Sequence, residues 1–127
     1  MTDNDFMFQI VFTDNSSAEM ALLPKPLQIE ILSEFQVLTP DFVSEHPDRF
    51  GTLHKGERVI YRYRMNDYRI YFEKQDKGLL IRRVLHKNTM KDFLYRSQLS
   101  EDEELQNNPS FWEFIDSPEP HPPLEDQ

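Results

Sequence analysis

The sequence predicts an α+β domain in which an N-terminal strand and a helical hairpin pack on a small antiparallel sheet, in the order β-α-α-β-β-β. Three observations carry this. A short apolar run rich in β-formers opens the chain, an apolar stripe at helical spacing follows Pro26, and three alternating segments joined by turn residues fill the middle.

Phe6-Met7-Phe8-Gln9-Ile10-Val11-Phe12 reads as the first strand. Ser16-Ser17-Ala18-Glu19 has the spacing of a capping box, in which a Ser hydroxyl and a Glu three residues on satisfy free N–H groups at a helix start. A short helix is therefore expected to about Leu23. Pro24-Lys25-Pro26 breaks it, and Pro26 suits the first turn of a second helix, where a missing N–H costs nothing. Leu27, Ile31, Phe35 and Leu38 then fall on one stripe, with Glu30 and Glu34 on another, until Thr39-Pro40 ends the helix. Residues 41–57, with Pro47, Gly51 and Gly56, read as loop. Val59–Met65 alternates, Asn66-Asp67 makes a tight turn, Tyr68–Lys74 continues, and Gln75-Asp76-Lys77-Gly78 leads into Leu79–Leu85.

The character changes after Ser97, so residues 1–97 are expected as the folded domain and 98–127 as an acidic, Pro-rich extension, partly disordered. Ser100-Glu101-Asp102-Glu103-Glu104 can cap a short helix, and Pro109 to Ile115 is an apolar island containing Phe111, Trp112 and Phe114. Ser117 to Gln127 holds four prolines in eleven residues, a composition that resists packing.

Charge follows the same division. The net charge of −9 conceals a basic block between two acidic ones. Residues 51–97 carry twelve Lys/Arg against five Asp/Glu, whereas residues 98–127 carry nine acids and no base. Charges more than about 8–10 Å apart are largely screened at physiological salt, so the local sign matters more than the total. The chain has no cysteine, which excludes disulfides and thiolate metal sites. His46, His54 and His121 lack metal-ligand spacing, and three glycines at 51, 56 and 78 cannot make a phosphate-binding loop. Neither metal nor cofactor is expected. No apolar run approaches the roughly 18 residues of a membrane span, and no basic-then-apolar leader opens the chain, so a cytoplasmic location without membrane contact is expected.

Alternation places Arg62 and Arg64 on one sheet face with Ile60, and Val59, Tyr61, Tyr63 and Met65 on the other. Arg69 shares a face with Tyr71 on the next strand. Arg82 is expected on a face with Leu80, Val84 and His86. Guanidinium groups gathered on one face need solvent or anions, and arginine matches phosphate with paired hydrogen bonds. Such a face with nearby tyrosines suits an RNA backbone and its unstacked bases. An ordinary solvated sheet face shows the same alternation.

The stretch Val59-Ile60-Tyr61-Arg62-Tyr63-Arg64-Met65-Asn66-Asp67-Tyr68-Arg69-Ile70-Tyr71-Phe72-Glu73 resembles the hairpin of RelE-type toxins of the RelE/ParE superfamily. Val84-Leu85-His86-Lys87 with Tyr95-Arg96 resembles the closing segment of that family, and Pro24-Lys25-Pro26-Leu27-Gln28 the link between its two helices. The resemblance spans about residues 6–96. It implies a small α/β ribonuclease-like domain that cuts mRNA on the ribosome, without a metal, by attack of a ribose 2′-OH on the adjacent phosphate. That chemistry needs a base, an acid, cations for the developing charge and a stacked nucleobase. The resemblance implies Arg62 and Arg64 as the basic pair, Arg69 as the phosphate-binding arginine, Lys87 as a late cation and Tyr95 for stacking or proton transfer. Arg82, Arg83, Lys91, Arg96 and Tyr71 are expected as flanking RNA contacts.

Two features depart from the family. The basic pair is all arginine, which does not release a proton, so His86 becomes the natural general base. Asn88-Thr89-Met90 is inserted before Lys91-Asp92, which shifts the register to Tyr95. Three functions fit: an mRNA interferase restrained by its acidic tail or by an antitoxin, a degenerate RelE/ParE-like module binding RNA, ribosome or protein, and a ParE-like gyrase inhibitor. Residues 100–116 either fold back onto the basic face or remain a solvated tail with one apolar patch.

Overall fold

The computed structural model describes residues 9–76, 78–90, 93 and 99–117. Its elements run β1 (Gln9–Phe12), α1 (Asp14–Ala21), α2 (Lys25–Gln36), α3 (Phe42–Glu45), β2 (Phe50–Lys55), β3 (Arg58–Met65), β4 (Tyr68–Gln75), β5 (Gly78–His86), α4 (Lys87–Met90), α5 (Glu101–Gln106) and α6 (Pro109–Asp116). The strands form one sheet in the order β1-β5-β4-β3-β2. β1 runs parallel to β5, to which the chain returns only after α1–α3 and the β2–β3–β4 meander, and the other pairs are antiparallel. The expected α+β order holds, with α3 and β2 added inside the segment read as loop. Gly56, with φ 62°, supplies the left-handed residue that turns β2 into β3.

Helix α1 does not start as expected. Thr13 is its cap, accepting the Ser16 N–H at 3.1 Å. The Ser16 hydroxyl instead donates to the Ile81 carbonyl at 2.7 Å, and Glu19 reaches β5 rather than its own helix start. Both residues tie α1 to the sheet, a tertiary demand that outranks the local capping pattern. Past Ile81, where β1 ends, the exposed edge of β5 is satisfied by α1: Thr13 Oγ1 donates to the Arg82 carbonyl and the Val84 N–H donates to Glu19 Oε1.

Each sheet face carries its own core. On one side α1, α2 and α3 bury Ile31, Phe35 and Phe42 against Phe50, Tyr63, Ile70, Phe72, Ile81 and Val84. On the other, Leu105 of α5 and Phe111, Trp112 and Ile115 of α6 pack on Leu53, Ile60, Tyr71 and Leu85, with Met90 and Phe93 alongside. The apolar island of the acidic segment thus forms a third layer. Each large side chain buried there stabilises by about 1.5–3 kcal/mol. Ser100 and Glu103 close a full capping box on α5. No helix among the described residues is long and apolar enough to cross a membrane.

Candidate nucleic-acid interface

The β3–β4 hairpin turns at Asn66, whose φ of 54° the side chain of an asparagine tolerates. Its register sets Arg64 opposite Arg69 and Arg62 opposite Tyr71. Arg62, Arg64, Arg69 and Tyr71 therefore share the face on which Ile60 and Leu85 meet α5 and α6. That part of the expected site is assembled.

The face is covered rather than solvated. Arg62 is only 6% exposed. Its Nε and Nη2 donate to Asp102 at 3.2 and 2.8 Å, and its Nη1 to the Arg49 carbonyl at 2.9 Å. Arg69 Nη1 donates to the Asn66 and Tyr68 carbonyls, while its Nε stands 3.5 Å from Glu101 Oε2. The Tyr71 hydroxyl is enclosed next to them. Burial, then the negative charges of Glu101 and Asp102, push its proton affinity well above the usual tyrosine range. Arg69 Nε, the Tyr71 hydroxyl and Glu101 Oε2 are buried without a hydrogen-bond partner among the described residues. Arg64 is exposed at the rim.

The parity expected for β5 is overturned at Arg82. A β-bulge between Tyr71 and Phe72 leaves Arg82 without an opposite residue, since Tyr71 pairs with Arg83 and Phe72 with Ile81. The extra residue flips the alternation, so Val84 packs with the α1–α3 side and Leu85 with the α5–α6 side. Arg82 pairs with Glu73 at 2.8 Å, and Glu73 also holds Arg58, itself clamped by Asp116. Arg83 is enclosed, 1% exposed, bound to Glu19 and to the Phe114 carbonyl with its guanidinium 3.9 Å from the Phe114 ring. Arg83 and Tyr71 are thus interior groups.

His86 follows from the same flip. It pairs with Tyr68 and meets its ring edge-on at 5.2 Å, on the α1–α3 side, so the sheet separates it from Arg62 and Arg69. Its Nδ1 accepts the Asn88 N–H. Lys87 lies at the same end of the sheet, its Nζ 3.3 Å from Asp67 with both side chains more than half exposed, a contact worth at most about 1 kcal/mol. Tyr95, Lys91 and Arg96 lie outside the described residues. Among those described, no group of three or more His, Asp or Glu side chains is placed to hold a metal ion.

Sequence reasoning alone did not single out Gly51, Glu19, Glu101 and Asp102. The signal for the last two was the acidic run against the basic block, which does not say which acid meets which arginine. Gly51 leaves room for the Arg62–Asp102 pair: a Cβ there would overlap Asp102 Oδ2 and stand 2.5 Å from Arg62 Nη2.

No protein-family model matches the chain, and no curated protein matches it in sequence. Solved structures do match. The archaeal RelE–RelB complex from Pyrococcus horikoshii aligns over 64% of this chain and 96% of that one, at 20% identity and a TM-score of 0.53. The RelBE2 toxin–antitoxin complex from Mycobacterium tuberculosis aligns over 63% of this chain and 98% of that one, at 20% identity and a TM-score of 0.46. The RelB–RelE complex from Methanococcus jannaschii aligns over 67% and 99%, again at 20% identity, with a TM-score of 0.45. The chain has a RelE-like fold, as the Pyrococcus comparison shows.

Proposed function

We propose that this chain is a RelE-type toxin, one that binds mRNA on the ribosome through the arginine face of its β3–β4 hairpin and cuts it there. One observation carries the reading: in a RelE-like fold, the register puts Arg62, Arg64 and Arg69 together on the sheet face away from α1–α3. Fixed guanidinium groups at that spacing suit a phosphodiester whose charge grows as the ribose 2′-O bonds to phosphorus and the P–O5′ bond breaks. Arg64 and Arg69 are assigned to that charge, with Lys87 at the rim. Tyr95 and Lys91 are the groups proposed for proton transfer and a further phosphate contact. His86 is not assigned the base, because the sheet stands between it and the arginines. The Pyrococcus structure is a complex with RelB, and an antitoxin chain is the partner proposed here by analogy of fold.

The position of His86 also favours a second reading, a RelE-fold module that binds RNA or the ribosome without cleavage. Expression of the full chain, followed by primer extension on cellular mRNA and ribosome co-sedimentation, separates the two. New 5′ ends on translated mRNA that vanish with Arg64→Ala and Arg69→Ala support the toxin. Co-sedimentation without new ends supports the module. Neither signal, together with inhibition of gyrase supercoiling, overturns both.

A further inference from the structure

The acidic segment divides into two unequal parts. Helix α6 buries Phe111, Trp112 and Ile115, whereas α5 buries only Leu105. Beyond that leucine, α5 is held by polar contacts: Asp102 on Arg62, Glu101 near Arg69, Gln106 Oε1 accepting the His54 N–H at 2.8 Å, and the Gln106 carbonyl accepting Trp112 Nε1–H. Where α5 meets the sheet, Arg69 Nε, the Tyr71 hydroxyl and Glu101 Oε2 of α5 itself are buried without hydrogen-bond partners among the described residues. The anchor is therefore α6, and the seat of α5 is the least satisfied part of this layer.

We propose that α5 is a strap whose carboxylates stand in for RNA phosphates. Asp102 fills the anion site of Arg62 and Glu101 that of Arg69, so closure of α5 and binding of single-stranded RNA exclude each other. The inference rests on the RNA-binding reading above. A carboxylate offers a guanidinium the same two parallel acceptors as a phosphate, and Asp102 uses both on Nε and Nη2. Glu101 and Asp102, the first two of four consecutive acids in α5, meet arginines of a segment with a surplus of seven positive charges, and α5 has no basic residue in its last turn. Glu101 meets Arg69 imperfectly, at 3.5 Å and outside hydrogen-bond geometry. A phosphodiester, with more acceptor oxygens and no helix to constrain it, can reach both Arg69 Nε and the Tyr71 hydroxyl. The sheet also makes room for closure at Gly51, where a Cβ would crowd the Arg62–Asp102 pair.

The test uses the full chain and a labelled single-stranded RNA oligonucleotide, with affinity read by fluorescence anisotropy at several salt concentrations. Glu101→Gln/Asp102→Asn removes the mimicry, and Gly51→Ala wedges the pair apart without changing any charge. Both should bind RNA about tenfold more tightly than the parent chain, with a steeper salt dependence. Arg62→Ala in the double-variant background should lose the gain. A gain in the charge variant but not in Gly51→Ala would mean that net charge alone was acting, and would overturn the strap. Equal affinity throughout would also overturn it, while leaving RNA binding intact. No RNA binding by any variant would overturn the strap and the RNA reading together. Each variant is first checked for cooperative urea unfolding. If Gly51→Ala does not fold, Gln106→Ala, which removes the bond to the His54 N–H, takes its place.

Discussion

Replacing Glu19 by Gln isolates the interaction that joins all three layers. Glu19 comes from α1, accepts the Val84 N–H on β5, and accepts two hydrogen bonds from Arg83, whose other contacts are the carbonyl and ring of Phe114 on α6. The guanidinium is 1% exposed and the carboxylate 19%, so the amide would leave a buried positive charge without a counter-charge. Breaking a buried pair from one side costs about 3–5 kcal/mol, and the partial exposure of Glu19 favours the lower end. Unfolding entropies near 2.1 cal/mol/K per residue translate that loss into a fall in Tm of roughly 10–20 °C for a chain of this size. Urea unfolding should show the midpoint fall with its slope unchanged. Replacing both partners, Glu19→Met with Arg83→Met, should recover much of the loss, because the double variant leaves no buried charge. A midpoint loss below about 1 kcal/mol for Glu19→Gln, or strict additivity of the two single losses, would refute the reasoning.

Three further outcomes follow from particular contacts. Tyr71→Phe removes a buried hydroxyl without a partner and should leave stability unchanged or raised by about 1 kcal/mol in urea unfolding, where most buried Tyr→Phe changes destabilise. Asn66→Val forces a β-branched side chain into a left-handed turn position and should cost about 1–2 kcal/mol, while Asn66→Gly should be near neutral. Asp116 is held below the ordinary carboxylate range by its hydrogen bonds to Arg58. Its folded-state affinity for protons is thus weaker than in the unfolded chain, and its stabilising contribution is present above about pH 3.9 and lost as pH falls through the lower folded value. Asp116→Asn should flatten that acid limb in pH-dependent thermal melts.

Much of this fold was legible because its signals are local. The Asn66-Asp67 turn, the alternation on either side of it, and the stripe of Leu27, Ile31 and Phe35 each depend on residues near one another in the chain. What escaped depends on distant partners. β2 hides behind Gly51 and Gly56, which read as loop markers, yet one makes space for Asp102 and the other makes the turn into β3. Ser16 and Glu19 match a capping pattern but are used by β5, some 65 residues away. One bulge residue, Arg82, reverses the face of everything after it and moves His86 away from the arginines. The basic face itself was visible in Arg62, Arg64 and Arg69, but its cover was not, since nothing local pairs Arg62 with an acid 40 positions later.

The most direct test of the arginine face is a titration of the isotopically labelled full chain with single-stranded RNA, following the arginine Nε–H signals by NMR. Arg62, Arg64 and Arg69 should shift together, and amides 101–106 of α5 should move with them, while signals from α2 stay in place. Shifts confined to the α1–α3 side, or spread evenly over the surface, would contradict an RNA-binding face on the β3–β4 hairpin.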